Sequence, residues 1–283
     1  MIELQERALK RLPEPAARLA RWGIDTTSSA LRTFGRALTL AEEAFRWLFR
    51  DLIALRHPWR DSVLQSWFIV SVTAIPAVLV AIPFGVIVAV QVGTLTQEVG
   101  ATSVTGAAGG LGVIRQGAPM VSALLLGGAA GAAIASDLGA RTIRDEIDAL
   151  RTMGIDPVRR LVVPRLAAMM LVAPLLCILI IFMGIGTGYV INVGFQSGTA
   201  GSYMSSLSAF ASLADLAVAL LKSVVFGIVV LVVACQRGLE TELGPKGVAN
   251  AVNSAVVIGV IATFCLNLVI TQLLTMFLPQ RIG

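Results

Sequence analysis

Arg141, Arg144, Asp145, Glu146, Asp148, Arg151 and Asp156 crowd the stretch from Ser136 to Arg165, the longest charged run in an otherwise apolar sequence. Exposed guanidinium and carboxylate groups on a rigid rod have the chemistry of docking, because they can pair with charges or backbone donors in a partner's groove. The sequence supplies such a rod. Thr142-x-x-Asp145 fits a capping box, placing Asp145 near a helix N-terminus where a carboxylate is favoured. Ile143, Ile147 and Leu150 follow at helical spacing, with Met153 extending the row into one apolar stripe. Gly154 ends the helix, and Asp156-Pro157 reads as an N-cap with proline at the first position of the next. The spacing predicts a short amphipathic helix over about 139–153, hung between two apolar segments of membrane length. An ordinary solvated loop is the competing reading.

The elements around it are set by composition. Of 283 residues 56% are hydrophobic and 14% charged, whereas a soluble domain carries about 25% charged residues. The chain is therefore expected to be an all-α integral membrane protein. Its net charge of +5 does not point to nucleic acid, since the basic residues cluster beside apolar spans. Cys177, Cys235 and Cys265 sit in apolar runs without CxxC or Cys/His spacing, so neither disulfides nor a metal site is indicated. No cofactor motif is present, and the charged first thirty residues do not read as a signal peptide.

In chain order, residues 1–33 read as a basic cytoplasmic extension carrying Arg7, Lys10, Arg11, Arg18, Arg21 and Arg32, broken by Pro13 and Pro15. Residues 34–58 hold Phe34, Leu38, Phe45, Leu48, Phe49, Leu52 and Leu55 at helical spacing among arginines, with Trp47 alongside. That is the pattern of an amphipathic helix in the membrane interface, against the alternative of a helix packed on a partner. His57, the one histidine, precedes Pro58 in the following turn and is read as structural. The region 62–283 then reads as a five-span domain. The spans are about Ser66 to Val92 (with Pro76 and Pro83), Pro119 to Ser136, Leu166 to Val193, Leu213 to Cys235 and Ala255 to Leu278. Between the first two lies a glycine-rich segment, Leu95 to Gly112, that lacks the features of a phosphate loop and suits close packing or a re-entrant turn. Gly127-x-x-x-Gly131 and Gly184-x-x-x-Gly188 offer tight helix contacts. Gly194 to Leu213 reads as a polar outside loop, and Gln236 to Val252 as a glycine-punctuated inside loop. The placement of basic residues predicts an inside N-terminus and an outside C-terminus, with Arg115 the exception. Lys222 falls within a span, which is costly and by default marks function, although its nearness to the span's start allows snorkelling.

The run Asp145-Glu146-x-Asp148-Ala149-Leu150, Met153-Gly154-Ile155-Asp156-Pro157 and Leu161-Val162-Val163-Pro164-Arg165 resembles the MlaE/YrbE permeases, membrane subunits of MCE-type ABC lipid transporters. Ala132 to Gly139, Lys222-Ser223-x-x-Phe226-Gly227 and Gly247-Val248-x-x-Ala251-Val252 fit the same pattern, so the likeness covers roughly Phe34 to Phe277. Arg141, Asp137-Leu138 and the long basic N-terminus look more like the actinobacterial YrbE branch. The resemblance implies an interfacial elbow helix, five spans, and a cytoplasmic coupling helix between spans two and three that docks an ATPase. It implies an ABC ATPase dimer, a second YrbE-like permease and MCE-domain proteins as partners, with a hydrophobic lipid as substrate and import as the direction. The lipid could be a fatty acid, mycolic acid, phospholipid or sterol. Under it, Arg141, Arg144, Asp145, Glu146, Asp148, Arg151 and Asp156 are candidate ATPase-coupling residues, some of them also pairing within the helix. Lys222, Gln116 and Asn267 are candidates for a cavity or the dimer core. The chain departs from the family where Gln116 and Asn267 stand at positions that are often acidic, which fits a subunit diverged from its partner.

The chain has no Walker A motif, so hydrolysis of ATP would fall to another protein. An intramembrane enzyme would need a nucleophile–base pair or metal ligands at membrane depth, and neither GxSxG nor HExxH is present. A passive scaffold anchoring an extracytoplasmic lipid-binding complex is the alternative, and it differs in tolerating loss of the charged helix residues.

Overall fold

A chain in lipid must satisfy its backbone hydrogen bonds internally, so long apolar segments become helices. The computed structural model describes residues 14–54, 58–196 and 198–277, with side chains from residue 33 to 276 within those ranges. His57, the side chains of the basic N-terminal residues and the segment after Phe277 lie outside the described residues. Among the described residues, ten α-helices follow in order: α1 (Glu14–Ile53), α2 (Trp59–Glu98), α3 (Thr105–Gly112), α4 (Ala118–Leu125), α5 (Gly131–Ile143), α6 (Glu146–Thr152), α7 (Val163–Phe195), α8 (Ala200–Phe210), α9 (Leu213–Leu239) and α10 (Pro245–Phe277). Wide π turns at Val113–Gly117 and Leu126–Ala130 join α3, α4 and α5 into one rod, and a third at Val158–Val162 leads into α7.

Among the described residues, five stretches are long and apolar enough to cross a membrane: Trp59–Glu98, Thr102–Ile143, Val158–Phe195, Leu213–Leu239 and Pro245–Met276. They coincide with the five expected spans, and each runs further than its hydrophobic core suggested. The glycine-rich segment is no re-entrant turn; it is the first part of the second span. Gln236 to Val252 is likewise mostly helix, because α9 runs to Leu239 and α10 starts at Pro245. The expected outside loop contains α8, started by Thr199, whose hydroxyl accepts from the Ser202 amide.

Residues 1–43 and 44–283 form two compact units. In the first, Phe34 and Leu38 of α1 are exposed; in the second, so are Phe49, Leu52 and Ile53. The packing of the second unit rests on small residues. Thr73, Ala77, Ala81, Gly85, Ala89 and Gly93 recur every fourth position on α2 and are all buried, making one continuous ridge. α2 packs chiefly on α7, and a Cβ on Gly85 would stand 2.8 Å from the carbonyl oxygen of Gly184. The other main layer is α5, α9 and α10. Here a Cβ on Gly131 would sit 3.3 Å from Val230, and one on Gly127 would sit 3.2 Å from Val260, so the expected glycine contact is made with two helices at once. At the serine-rich end α3 packs on α8, with Gly106 and Gly110 facing Tyr203 and Leu207.

Candidate functional site

The charged stretch does not fold as one rod over 139–153. α5 carries the chain to Ile143, and Asp145 then adopts a left-handed φ of 56° before α6 begins. The expected capping box is absent because Thr142 is engaged elsewhere: its hydroxyl is shared between the carbonyl oxygens of Leu138 and Gly238, each at 3.0 Å. The second of these ties α5 to α9, a tertiary bond that outcompetes the local cap. Asp145 caps nothing with its side chain. The end of α6 is as the sequence indicates. Gly154 takes φ +73°, its amide donates to Arg151 O, and the Ile155 amide reaches back to Leu150 O at 2.9 Å, a complete Schellman closure. Asp156 Oδ1 accepts from the Val158 amide at 2.9 Å, starting the next helix behind Pro157.

Of the apolar stripe only Ile147 is buried; Met153 is 64% exposed and Ile155 also faces outward. Asp148 and Arg151, both exposed, form a 3.0 Å pair. Arg141, Arg144 and Glu146 are brought together instead: Arg141 reaches Glu146 at 3.4 Å, and Arg144 reaches it at 3.1 Å. Arg141 also holds Asp137 one turn earlier at 3.3 Å, and Asp137 in turn accepts a hydrogen bond from Arg165 at the start of α7. Arg165 is 2% exposed and donates its other terminal nitrogen to Leu161 O at 2.7 Å. Sequence reasoning singled out neither Asp137 nor Arg165 as a site residue. The four-residue spacing of Asp137 and Arg141 is a signal that could have found half of the link.

Two further arginines of the same segment are engaged. Arg159 holds the nearly buried Asp51 of α1 through two bonds of 2.6 and 3.0 Å, and its guanidinium lies 4.6 Å over the Trp47 ring. Arg160 pairs with Asp61 of α2 at 2.9 Å.

A second polar cluster lies inside the bundle. Lys222 of α9 is buried, and its ammonium donates to Thr271 Oγ1 at 2.9 Å, Gln116 Oε1 at 3.4 Å and Arg115 O at 3.5 Å. All three acceptors are neutral. The structure thus brings Lys222 and Gln116 together with Thr271, which the sequence reading did not include. Asn267 is one turn before Thr271 on α10 and equally buried, but its Oδ1 has no hydrogen-bond partner. Arg115 is not in a loop: it sits in the π turn of the second span and pairs with Asp215 at 2.7 Å. Asp215 also closes a capping box with Ser212 at the start of α9. No group of three or more His, Cys, Asp or Glu side chains among the described residues is arranged to hold a metal ion.

Among the described residues the chain has five candidate spans, a short helix between the second and third, and an N-terminal helix, and comparison with known proteins shows the family. The family model for permease MlaE matches residues 62–273. The chain belongs to the MlaE permease family. A probable ABC transporter permease protein of Synechocystis is 31% identical over 76% of this chain and 82% of its own length. The MlaE permease protein of an intermembrane phospholipid transport system in Haemophilus influenzae is 28% identical over 58% of this chain and 63% of its own length. A chloroplastic Arabidopsis thaliana protein, trigalactosyldiacylglycerol 1, is 28% identical over 56% of this chain and 45% of its own length.

Proposed function

We propose that this MlaE-family permease moves a hydrophobic lipid across the plasma membrane, with energy from a separate ATPase docked at α6. The observation that carries the reading is the surface of α6. The helix carries the exposed pair Asp148–Arg151, and exposed Met153 and Ile155 follow its last turn, on a knuckle between the second and third spans. An apolar anchor ringed by charge is what a protein partner's groove binds. The coupling role therefore falls on Asp148, Arg151 and Met153. Arg141, Arg144 and Glu146 brace the knuckle from behind, Asp145 sets its bend, and Asp156 starts the helix that leaves it.

In this reading the end of the bundle bearing α6 faces the cytoplasm and α8 faces outward. That orientation agrees with the concentration of basic residues at the α6 end. A second permease subunit, an ATPase dimer and MCE-domain proteins complete the assembly, and import is the direction of transport. The name of the Haemophilus relative supports a phospholipid-like substrate. In this reading Lys222 and Gln116, with Asn267 one turn from their partner Thr271, lie at the centre of the permease pair, where a buried ammonium hydrogen-bonded only to neutral oxygens is the costliest group of its span.

The test is a pulldown from membranes, comparing the wild type with an Asp148→Arg, Met153→Asp double variant. Glu146 is left intact because its loss would also disturb the internal network. Wild type should co-purify a Walker A ATPase and MCE proteins, and the variant should lose the ATPase alone. Retention of the ATPase by the variant would refute docking at α6, and its absence from the wild type would favour a passive scaffold.

A further inference from the structure

The helix α6 hangs between two left-handed positions, Asp145 at φ 56° and Gly154 at φ +73°. A push on a helix suspended this way is absorbed by rotation at its two ends unless something else holds it. The π turn Val158–Val162 and the first turn of α7 supply that hold. Arg159, Arg160 and Arg165 each bind a carboxylate of a different element: Asp51 of α1, Asp61 of α2 and Asp137 of α5. The contacts are stiff ones. Arg159 grips Asp51 with two nitrogens and stacks on Trp47, a planar arrangement that resists rotation. Arg165 is a guanidinium removed from solvent, and such a group is held in place by the cost of exposing it unpaired. Asp137 passes the connection on to Arg141, and Arg141 passes it to Glu146, the first residue of α6.

We propose that this arginine joint makes the last turns of α1 (residues 44–53), α2 and α7 follow α6 as one body, with Asp137 as the residue through which the movement enters. The proposal rests on the coupling reading above for the source of the push, but the mechanical link stands in the resting molecule. Asp137, Arg159 and Arg165 are positioning residues in this account, since they act through the helices they tie together. Along the rest of their length α2 and α7 are already held by the ridge of small residues, so a link at one end suffices to steer both.

The experiment uses the full transporter complex in nanodiscs. Cys265, the one exposed cysteine, is replaced by serine, and nitroxide labels are placed at Ala54→Cys and Thr152→Cys, at the ends of α1 and α6. Electron–electron resonance then reads the distance between them, without nucleotide and with vanadate-trapped nucleotide. The otherwise wild-type chain should give one narrow distribution that is the same in both states. Asp137→Asn and Arg159→Gln should each broaden it by about twofold, and the swap Asp51→Arg with Arg159→Asp should narrow it again. Should Asp137→Asn fail to assemble, Arg141→Gln breaks the same chain at a half-exposed residue. Variants as narrow as the wild type overturn the joint while leaving ATPase capture untouched. A wild type that captures no ATPase overturns the functional reading, and its nucleotide-free distances still judge the joint.

Discussion

At the scale of single residues, the two informative positions are a charge without a counter-charge and a backbone without a glycine. Lys222 is surrounded by neutral oxygens, one of them on the exposed residue Gln116. Replacing it with methionine removes a buried ammonium and leaves its former acceptors with little to lose. Lys222→Met should therefore change thermal unfolding of the purified complex by roughly 1 kcal/mol or less, while lipid transfer into acceptor vesicles falls on the order of tenfold. A parallel fall in unfolding temperature and transfer would mean that the lysine is a packing residue. Asp145 is the one non-glycine residue with positive φ among the described residues. Asp145→Gly should raise stability by about 1 kcal/mol and Asp145→Val should lower it by at least as much, read from denaturation midpoints of the two variants.

At the scale of elements, α3 of the second span and α8 approach closely. A Cβ at Gly106 would collide with the Tyr203 carbonyl, so Gly106→Val forces α8 away at a cost of about 1–3 kcal/mol. Protease should then cut faster in the segment 196–212, whereas Gly109→Val, where nothing stands within 4 Å, should leave the pattern unchanged. These helices also mark what the sequence could say about itself. Five apolar stretches announce five spans because hydropathy is a local property of the chain. α8 was hidden because its serines look like loop composition, and only packing on α3 makes it a helix worth forming. The bend at Asp145 was hidden for a related reason: the capping box at Thr142 is locally sound, and it is lost to a carbonyl 96 positions away at Gly238. Lys222 was legible as a charge within a span and Gln116 as a departure from the family pattern, but their meeting depends on how α9 lies against the second span. The pairings of the arginines at 159, 160 and 165 were not legible, since each partner comes from a different helix.

At the scale of the whole molecule, the charged end and the serine-rich end are separated by the length of α7, about 50 Å for its 33 residues. This exceeds the roughly 30 Å hydrocarbon layer, so both ends should emerge into water. In a Cys265→Ser background, Asp148→Cys should react with a membrane-impermeant maleimide only in inverted vesicles, and Ser205→Cys only in intact cells. Labelling of both from one side would reject the proposed orientation. The π turns in the second span bear on something else, the tolerance of this fold to gain and loss of residues. Each such turn accommodates one residue more than an α turn. Deleting one residue from Val113–Gly117 would thus restore a regular helix and rotate everything before it by about 100° relative to everything after. Gly106 and Gly110 would leave α8 while Gly127 and Gly131 kept their places against α9 and α10. A single-codon deletion here is a way of re-aiming the serine-rich end of the molecule while the contacts of Gly127 and Gly131 are kept.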